Sequence, residues 1–286
     1  MDRAALDRLY NNRAAVPTHQ EDFARWAEAT AAARRAMPAQ YDLRYGAGER
    51  ETLDFFPVGD PGRPLVVFIH GGYWQGLSKK EFGFLAEGFV SEAAGRIASL
   101  ALLNYPLAPD AGMDSIVASV RGALAWLWRE ADSLGFDRDR MYVCGHSAGG
   151  HLTAMAALSD WRGVGSDLPP DLVKGGLSLS GLYDLRPISR TYLNEKLGMD
   201  DAVAERNSPL LLLPEAGGTL PPLLLAVGGD ETAAFLEQQQ EFASACRSRG
   251  EKVTAITVPA RHHFNIVDEL ANPGSAVQGT FARLLQ

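Results

Sequence analysis

Short, nearly continuous apolar runs recur along most of the chain. After a hairpin-like pair at 41–45 and 51–56, such runs occupy 65–70, 97–105, 141–145, 176–180, 223–227 and 252–258. Runs of this kind are typical of parallel strands, because helices cover both faces of such a sheet. The pattern therefore predicts a largely parallel sheet whose strands are buried on both sides.

Between these runs, apolar residues recur every three or four positions, which indicates amphipathic helices. Segments 115–134 and 231–249 show this spacing, and Gly135 and Gly250 follow them as helix stops. Residues 2–37, rich in Ala, Arg and Glu, predict one or two further helices. Because strand and helix alternate, we expect an α/β fold, a three-layer α/β/α sandwich with a mostly parallel sheet.

The alternation breaks in two places. Segments 161–171 and 183–222 are rich in Pro, Gly and Leu, and they are longer than ordinary loops. We interpret both as insertions, the longer of which forms a small lid over the site. With residues 1–38 as an N-terminal helical segment, the expected organisation is a single domain over 1–286.

Charge and composition narrow the class of protein. The chain has 286 residues, with 27 Lys and Arg against 35 Asp and Glu, which gives a formal net charge of −8. Nucleic acids and anionic membranes are bound by clustered cations, so we expect neither as a partner. Two cysteines are too few for a disulfide framework, and the charged N-terminus lacks the apolar stretch of a secretory signal. We expect a cytoplasmic protein with a small-molecule substrate, and a homodimer is compatible with these features.

One pentapeptide has the pattern of a serine nucleophile. Gly145-His146-Ser147-Ala148-Gly149 is a G-x-S-x-G sequence between a predicted strand and a predicted helix. In that context the serine occupies a sharp strand-to-helix turn, and the two glycines avoid collisions with neighbouring backbone. The N-terminus of the following helix favours developing negative charge. We therefore predict that Ser147 is a nucleophile.

A serine nucleophile requires a base, which we sought among the six histidines. His262 and His263 directly follow the last predicted strand, where a fold of this type places its base. His263 is preferred because of its position before Phe264, and His262 is the alternative.

A carboxylate is also required, because it fixes the tautomer of the imidazole and stabilises the imidazolium. Asp230 lies at the carboxyl end of a predicted strand, the edge of an open α/β sheet at which catalytic groups collect. Glu231 and Asp184 are alternatives, and another role for Asp230 is to cap the following helix. The chain order Ser147, Asp230, His263 is that of the α/β-hydrolase fold.

Backbone N–H groups must hold the oxyanion that forms when the serine attacks. The amide of Ala148, directly after the nucleophile, is one expected donor. Glycines let the loop after strand 65–70 approach a substrate, so the amides of Gly72 and Tyr73 are the others. Tyr73 and Trp74 either pack in the core or line the pocket. The sequence shows neither metal-ligand spacing nor a dinucleotide fingerprint, so no metal or cofactor is expected.

Taken together, four segments of the chain resemble a known family. They are His-Gly-Gly-Tyr-Trp at 70–74, Gly-His-Ser-Ala-Gly-Gly at 145–150, Gly-Asp-Glu-Thr at 229–232 and His-Phe at 263–264. They look like the kynurenine formamidase (arylformamidase) branch of the α/β-hydrolases, close to the hormone-sensitive-lipase-like esterases. The H-G-G-x-W form distinguishes this branch from esterases, which more usually carry H-G-G-G. Segments 11–13, 16–17 and 105–109 are also similar, so the resemblance covers nearly the whole chain.

The resemblance implies a metal-independent serine hydrolase that cleaves an aryl formamide such as N-formyl-kynurenine through a formyl-Ser147 intermediate. Tyr73, Trp74 and Tyr183 are the implied candidates for contact with the aryl group. The chain departs from the family pattern at His262, where a polar residue such as Asn is expected. A carboxylesterase acting on short acyl or aryl esters uses the same catalytic residues and is the alternative. A non-catalytic binding protein with this fold is disfavoured by the intact triad.

Overall fold

The structure is a computed structural model that describes residues 2–214 and 220–286. Within these residues one sheet contains eight strands in the order β1-β2-β4-β3-β5-β6-β7-β8. The strands are β1 (Gln40–Arg44), β2 (Thr52–Phe56), β3 (Leu65–Ile69), β4 (Ser99–Leu103), β5 (Met141–His146), β6 (Gly175–Leu179), β7 (Leu223–Gly228) and β8 (Val253–Val258). The β1–β2 and β2–β4 pairs are antiparallel, and all other neighbours in this sheet are parallel. The predicted mostly parallel sheet is confirmed.

The helices of the described chain alternate with the strands after β2. They are α1 (Arg3–Tyr10), α2 (Asn12–Ala15), α3 (His19–Ala36), α4 (Met113–Arg129), α5 (Ala131–Leu134), α6 (Ala148–Ala157), α7 (Trp161–Val164), α8 (Asn194–Leu197), α9 (Asp201–Arg206), α10 (Pro209–Leu212), α11 (Ala233–Ser248), α12 (Asp268–Ala271) and α13 (Ala276–Leu284). Short 3₁₀ turns occupy Lys79–Glu81, Gly83–Gly88, Ile188–Arg190 and Asn265–Val267. Over the same residues, no helix has the length and apolar character that crossing a membrane requires.

Alternate residues of a strand pack on opposite faces of the sheet. In β3, Leu65, Val67 and Ile69 belong to one buried cluster, whereas Val66 and Phe68 belong to the other. Helices α4 and α6 cover the first face, and α3 and α13 cover the second. Because helices cover both faces, apolar residues are required at every position of such a strand. The predicted three-layer α/β/α sandwich is confirmed.

Element boundaries differ from the sequence expectation mainly near the ends of the chain. The N-terminal region forms three helices rather than one or two, and α12 and α13 were not predicted. The long helix predicted at 115–134 is divided into α4 and α5. It ends at Gly135, whose φ of 75° lies in the left-handed region that glycine tolerates best.

The N-terminal segment contacts the longer insertion. The Arg3 guanidinium lies 2.5 Å from the Glu195 carboxylate, and the backbone N–H of Tyr192 donates to the Asp7 carboxylate at 2.8 Å. The insertion expected at 183–222 contains α8, α9 and α10, and its residues 215–219 lie outside the described residues. These contacts bring two segments that are distant in sequence to the same end of the sheet.

Candidate active site

Ser147 occupies the turn between β5 and α6. Its φ of 58° and ψ of −117° are unusual for a residue with a side chain, as expected for a strained strand-to-helix turn. The flanking glycines leave no room for side chains. A Cβ on Gly145 would lie 2.2 Å from the Gly149 carbonyl oxygen, and one on Gly149 would lie 1.9 Å from the Ile69 carbonyl oxygen. The turn that holds the serine therefore requires glycine at both positions.

A hydrogen-bond chain connects Ser147 to a buried carboxylate. His263 Nδ1 lies 2.7 Å from Glu231 Oε2, and His263 Nε2 lies 3.0 Å from the Ser147 hydroxyl oxygen. With the ring proton on Nδ1 facing the carboxylate, Nε2 is free to accept the serine proton. The second carboxylate oxygen of Glu231 accepts from the Ser180 hydroxyl at 2.5 Å and from the Gly228 N–H at 2.8 Å. Both oxygens of Glu231 are therefore held in place.

The structure corrects the preferred acid. Asp230 is exposed, whereas the Glu231 side chain is fully buried beside His263. The backbone N–H of Glu231 donates to the Gly228 carbonyl oxygen at 3.2 Å, which closes a tight turn at the end of β7. The carboxylate after Asp230 therefore reaches the imidazole. Asp184, the other alternative, forms an ion pair with its neighbour Arg186 instead.

The two adjacent histidines have different surroundings. His262 Nδ1 accepts from the backbone N–H groups of Phe264 and Asn265, both at 3.3 Å. Its Nε2 lies 3.8 Å from an Asp22 carboxylate oxygen, so the ring is directed towards α3. The geometry therefore places His263, the preferred base, against the serine and His262 outside the hydrogen-bond chain.

Two further histidines hold the surrounding loops. His146 Nε2 donates to the His263 carbonyl oxygen at 2.7 Å, and burial lowers the pKa of His146 to about 3. The His70 ring stacks on Tyr105 with a centroid distance of 4.4 Å, and Nδ1 donates to the Gly71 carbonyl oxygen at 2.8 Å. Burial also lowers the pKa of His70 to about 3. Both rings are therefore neutral near pH 7 and serve as positioning groups.

The loop after β3 approaches the nucleophile closely. A Cβ on Gly71 would lie 3.1 Å from Ser147 Cβ. Gly72 and Tyr73 have positive φ values of 105° and 49°, and both line the same cavity as Ser147. Ala148 is the first residue of α6, and its N–H has no acceptor within the helix. Of the three residues predicted to supply oxyanion donors, Gly72 and Tyr73 thus line the cavity with Ser147, and Ala148 directly follows the serine.

Ser147 and His263 open into a cavity of about 260 Å³. One group of lining residues, the catalytic wall, consists of Gly72, Tyr73, His146, Ser147 and His263. A second group, the cap wall, comes from the N-terminal segment and the insertion and consists of Asn11, Asn12, Arg13, Tyr192, Leu193 and Lys196. Apolar side chains that include Phe23, Leu77 and Phe264 complete the lining. The N-terminal segment, which the sequence did not associate with the site, therefore contributes to the cavity together with the insertion.

Hydrogen bonds attach the N-terminal segment to the catalytic side. The Tyr73 hydroxyl donates to the Tyr10 carbonyl oxygen at 2.7 Å and accepts from the Asn12 amide nitrogen at 3.2 Å. The Thr232 hydroxyl donates to the Leu9 carbonyl oxygen at 2.6 Å. Tyr73 thus lines the cavity, as predicted, and also holds the cap wall.

The structure corrects two of the predicted substrate contacts. Trp74 is fully buried, its ring meets His151 edge-on at a centroid distance of 5.1 Å, and it does not line the cavity. Tyr183 is 1% exposed and stacks on Phe242 beneath α11, at a centroid distance of 4.3 Å. Its hydroxyl is bonded to Ser178 at 2.7 Å. Both aromatic residues belong to the core, where their large apolar surfaces are covered.

Sequence reasoning did not identify several residues of the site. Ser180 follows β6 with no motif around it, and Tyr192 and Lys196 lie in a segment interpreted only as a lid. Arg13 belongs to the Asn-Asn-Arg segment that contributed to the family resemblance. That resemblance was the one sequence signal that could have associated Arg13 with the site. No motif in the sequence relates Arg13 to Lys196, which lie far apart along the chain.

Comparisons with known proteins identify the family of the chain. The BD-FAE family model matches residues 56–168. The kynurenine formamidase of Danio rerio is 37% identical over 247 residues, which cover 85% of this chain and 80% of that protein. The chain belongs to the kynurenine formamidase family. The resemblance stated from the sequence is thereby confirmed.

Relatives outside the kynurenine formamidases share the architecture. Esterase LipC of Mycobacterium tuberculosis is 26% identical over 248 residues, covering 78% of this chain and 59% of that protein. The crystal structure of a candidate thioesterase from Silicibacter sp. TM1040 superposes with a TM-score of 0.81 at 31% identity, and the match covers 96% of this chain and 97% of that one. This chain therefore has the α/β-hydrolase fold, which it shares with esterases of known structure.

Proposed function

We propose that the protein is a metal-independent serine hydrolase that cleaves an aryl formamide such as N-formyl-kynurenine, releasing the aryl amine kynurenine and formate. The observation that carries the proposal is the hydrogen-bond chain from Glu231 through His263 to Ser147, which ends at the cavity. Membership of the kynurenine formamidase family supports the choice of substrate class.

The first half of the reaction forms an acyl-enzyme. The Ser147 oxygen attacks the formyl carbon while its proton passes to His263 Nε2, 3.0 Å away. Glu231 stabilises the imidazolium that results. The backbone N–H groups of Gly72, Tyr73 and Ala148 donate hydrogen bonds to the formyl oxygen as negative charge develops on it, and a single such donor contributes roughly 3–4 kcal/mol of transition-state stabilisation. The catalytic wall, together with Glu231 and Ala148 behind it, therefore supplies all the groups that this step needs.

The second half releases the products. The imidazolium of His263 gives its proton to the leaving nitrogen as the carbon–nitrogen bond breaks, which leaves a formyl ester on Ser147. His263 then takes a proton from a water molecule that attacks this ester. The tetrahedral intermediate collapses to formate, and Ser147 regains its proton from His263. The formyl group is small, so most of the cavity is available to the aryl part of the substrate.

A carboxylesterase acting on short acyl or aryl esters is the second candidate. The similarity to esterase LipC favours it, and ester cleavage would use the same serine, histidine and backbone donors. The two candidates differ in the leaving group, because an aryl amine needs a proton from His263 more than an aryl alcohol does.

Steady-state kinetics on N-formyl-kynurenine and p-nitrophenyl acetate separates the two candidates. We expect a larger kcat/KM for the formamide, and we expect Ser147→Ala to lower kcat at least a thousandfold on both substrates. A kcat/KM for the ester far above that for the formamide would assign the protein as an esterase. Activity of Ser147→Ala near that of the unchanged protein would refute Ser147 as the nucleophile.

We also propose a cytoplasmic location. Cys144 and Cys246 are both free and buried, which fits a reducing compartment. Fractionation of the source cells with detection of the protein would test the location.

A further inference from the structure

Two cationic side chains line the cavity without an ionic partner. Arg13 of α2 and Lys196 of α8 belong to the cap wall of the cavity that also contains Ser147. Among the residues that the structure describes, neither side chain forms a salt bridge or donates a hydrogen bond. Within that same part of the chain, no Asp or Glu lines the cavity. The cavity is therefore positively charged although the whole chain carries a formal charge of −8.

The acidic residues nearest along the chain are already engaged elsewhere. The Glu195 carboxylate lies 2.5 Å from the Arg3 guanidinium, which is also 3.7 Å from an oxygen of Asp7. Asp7 also accepts the backbone N–H of Tyr192 at 2.8 Å. These bonds join α1 to the segment that carries Lys196. These bonds hold the cap wall in place and occupy the nearby carboxylates, so Arg13 and Lys196 remain available to an anion in the cavity.

The substrate class of the proposed function supplies such an anion. N-formyl-kynurenine has its scissile formamide on the aryl ring and a carboxylate at the amino-acid end of the molecule. With the formyl group at Ser147, the amino-acid end of the substrate must occupy another part of the same cavity, where Arg13 and Lys196 are the available cations. A guanidinium can bind a carboxylate through two parallel hydrogen bonds, and an ammonium adds a second point charge.

We propose that Arg13 and Lys196 form a subsite for the carboxylate of the substrate, so that the protein prefers aryl formamides with an anionic amino-acid end over neutral ones. This inference rests on the proposed function for the identity of the substrate. Both cations are exposed at the mouth of the cavity, so their contribution is screened by salt. The preference is therefore expressed mainly in KM and weakens as ionic strength rises.

The test compares one charged and one neutral substrate with the same reacting group. The neutral substrate is 2′-formamidoacetophenone, which keeps the aryl ketone and the formamide of N-formyl-kynurenine but lacks the amino-acid end. In the double variant Arg13→Gln/Lys196→Gln, we expect the ratio of kcat/KM for the charged substrate to that for the neutral one to fall about tenfold or more. The fall should arise from KM of the charged substrate.

The matched control is Arg162→Gln/Lys252→Gln, which removes the same two charges at exposed positions that do not line the cavity. Its ratio should stay within about twofold of that of the unchanged protein, since long-range fields from exposed charges are screened. An equal loss on both substrates in the cavity variant, or an equal change of ratio in the control, would overturn the subsite.

Binding of the product keeps this test independent of the proposed function. Calorimetric titration with kynurenine and with 2′-aminoacetophenone requires no turnover. We expect the Kd of kynurenine to rise about tenfold in the cavity variant, with that of 2′-aminoacetophenone changed far less. If N-formyl-kynurenine is not hydrolysed but this shift is observed, the proposed function fails and the carboxylate subsite stands. If the shift is absent, the subsite is wrong whichever substrate is cleaved.

Discussion

The catalytic wall and the cap wall face the same cavity, but they are held in place in different ways. Ser147 and His263 are 2% and 4% exposed, and they extend from elements that directly follow β5 and β8. Tyr192 of the cap wall is 36% exposed. The cap wall is attached by separate contacts that join distant parts of the chain, such as the bond from the Tyr192 N–H to the Asp7 carboxylate. The sheet edge thus holds the reacting groups, while the cap wall combines buried residues such as Leu193 with exposed ones such as Tyr192.

This difference assigns different kinetic roles to the two sides. Ser147, His263 and the backbone amides of the catalytic wall serve the reacting atoms, so their loss should lower kcat on every substrate. Groups of the cap wall contact the distal part of the substrate, so their loss should change KM and the preference among substrates. Substitutions on each side therefore test whether this division holds.

The largest effect on kcat is expected from Glu231, the buried carboxylate behind the catalytic wall. Glu231→Gln keeps the size of the side chain but removes the negative charge that stabilises the imidazolium, so kcat should fall about a thousandfold or more. Asp230→Asn is the matched control. Because Asp230 is exposed, the kcat of this variant should stay within about twofold of that of the unchanged protein. Steady-state kinetics of both variants checks the assignment. The reverse result would restore Asp230 as the acid.

A smaller effect is expected from Ser180, whose hydroxyl donates to Glu231 at 2.5 Å. Ser180→Ala leaves the Gly228 N–H as the remaining donor to that oxygen, so Glu231 should be less firmly oriented. Loss of one such bond is expected to lower kcat about tenfold. The same substitution in a Glu231→Gln background should have much less effect on kcat. Additive losses in the double variant would show that Ser180 does not act through Glu231.

The smallest effect is expected where the two walls meet. Tyr73→Phe retains the backbone amide proposed as an oxyanion donor but removes the hydroxyl that joins Tyr10 to Asn12. We expect KM for N-formyl-kynurenine to rise a few-fold, and Tm to fall by about 2–4 °C, since one buried hydrogen bond contributes about 1 kcal/mol. Tyr41→Phe, at an exposed residue of β1, is the control for both measurements. A large loss of kcat with KM unchanged would show that the Tyr73 hydroxyl acts in the chemical step and does not hold the cap wall.

Much of the catalytic side was predictable because its signals are local. The G-x-S-x-G turn fixes the serine through neighbouring residues, and the loop glycines after β3 identify the expected oxyanion donors. The choice between Asp230 and Glu231 was not predictable in the same way. Both follow β7, and a backbone turn from Glu231 to Gly228 decides which carboxylate reaches His263. Such a turn depends on the packing of neighbouring strands.

The cap side was less predictable because its signals are not local. Aromatic residues that look suited to a pocket, such as Trp74 and Tyr183, prove to be core residues, since composition does not reveal on which side of a loop a ring packs. Arg13 and Lys196 come together only through folding of the whole chain. Hydrophobic periodicity predicted the sheet and the helices that cover it, but it carries no information about which surface segments meet above the sheet.

The long sequence separation between the N-terminal segment and some residues that anchor it has a consequence for folding. The Leu9–Thr232 bond spans 223 residues, and the contact between Tyr10 and Gln238 spans 228. During synthesis the N-terminal helices emerge first, but two of the residues that anchor them, Thr232 and Gln238, emerge only after β7. Closing so long a stretch of chain is entropically costly, so these bonds should form after the sheet is assembled. We therefore expect substrate preference to be the last property that a newly made molecule acquires.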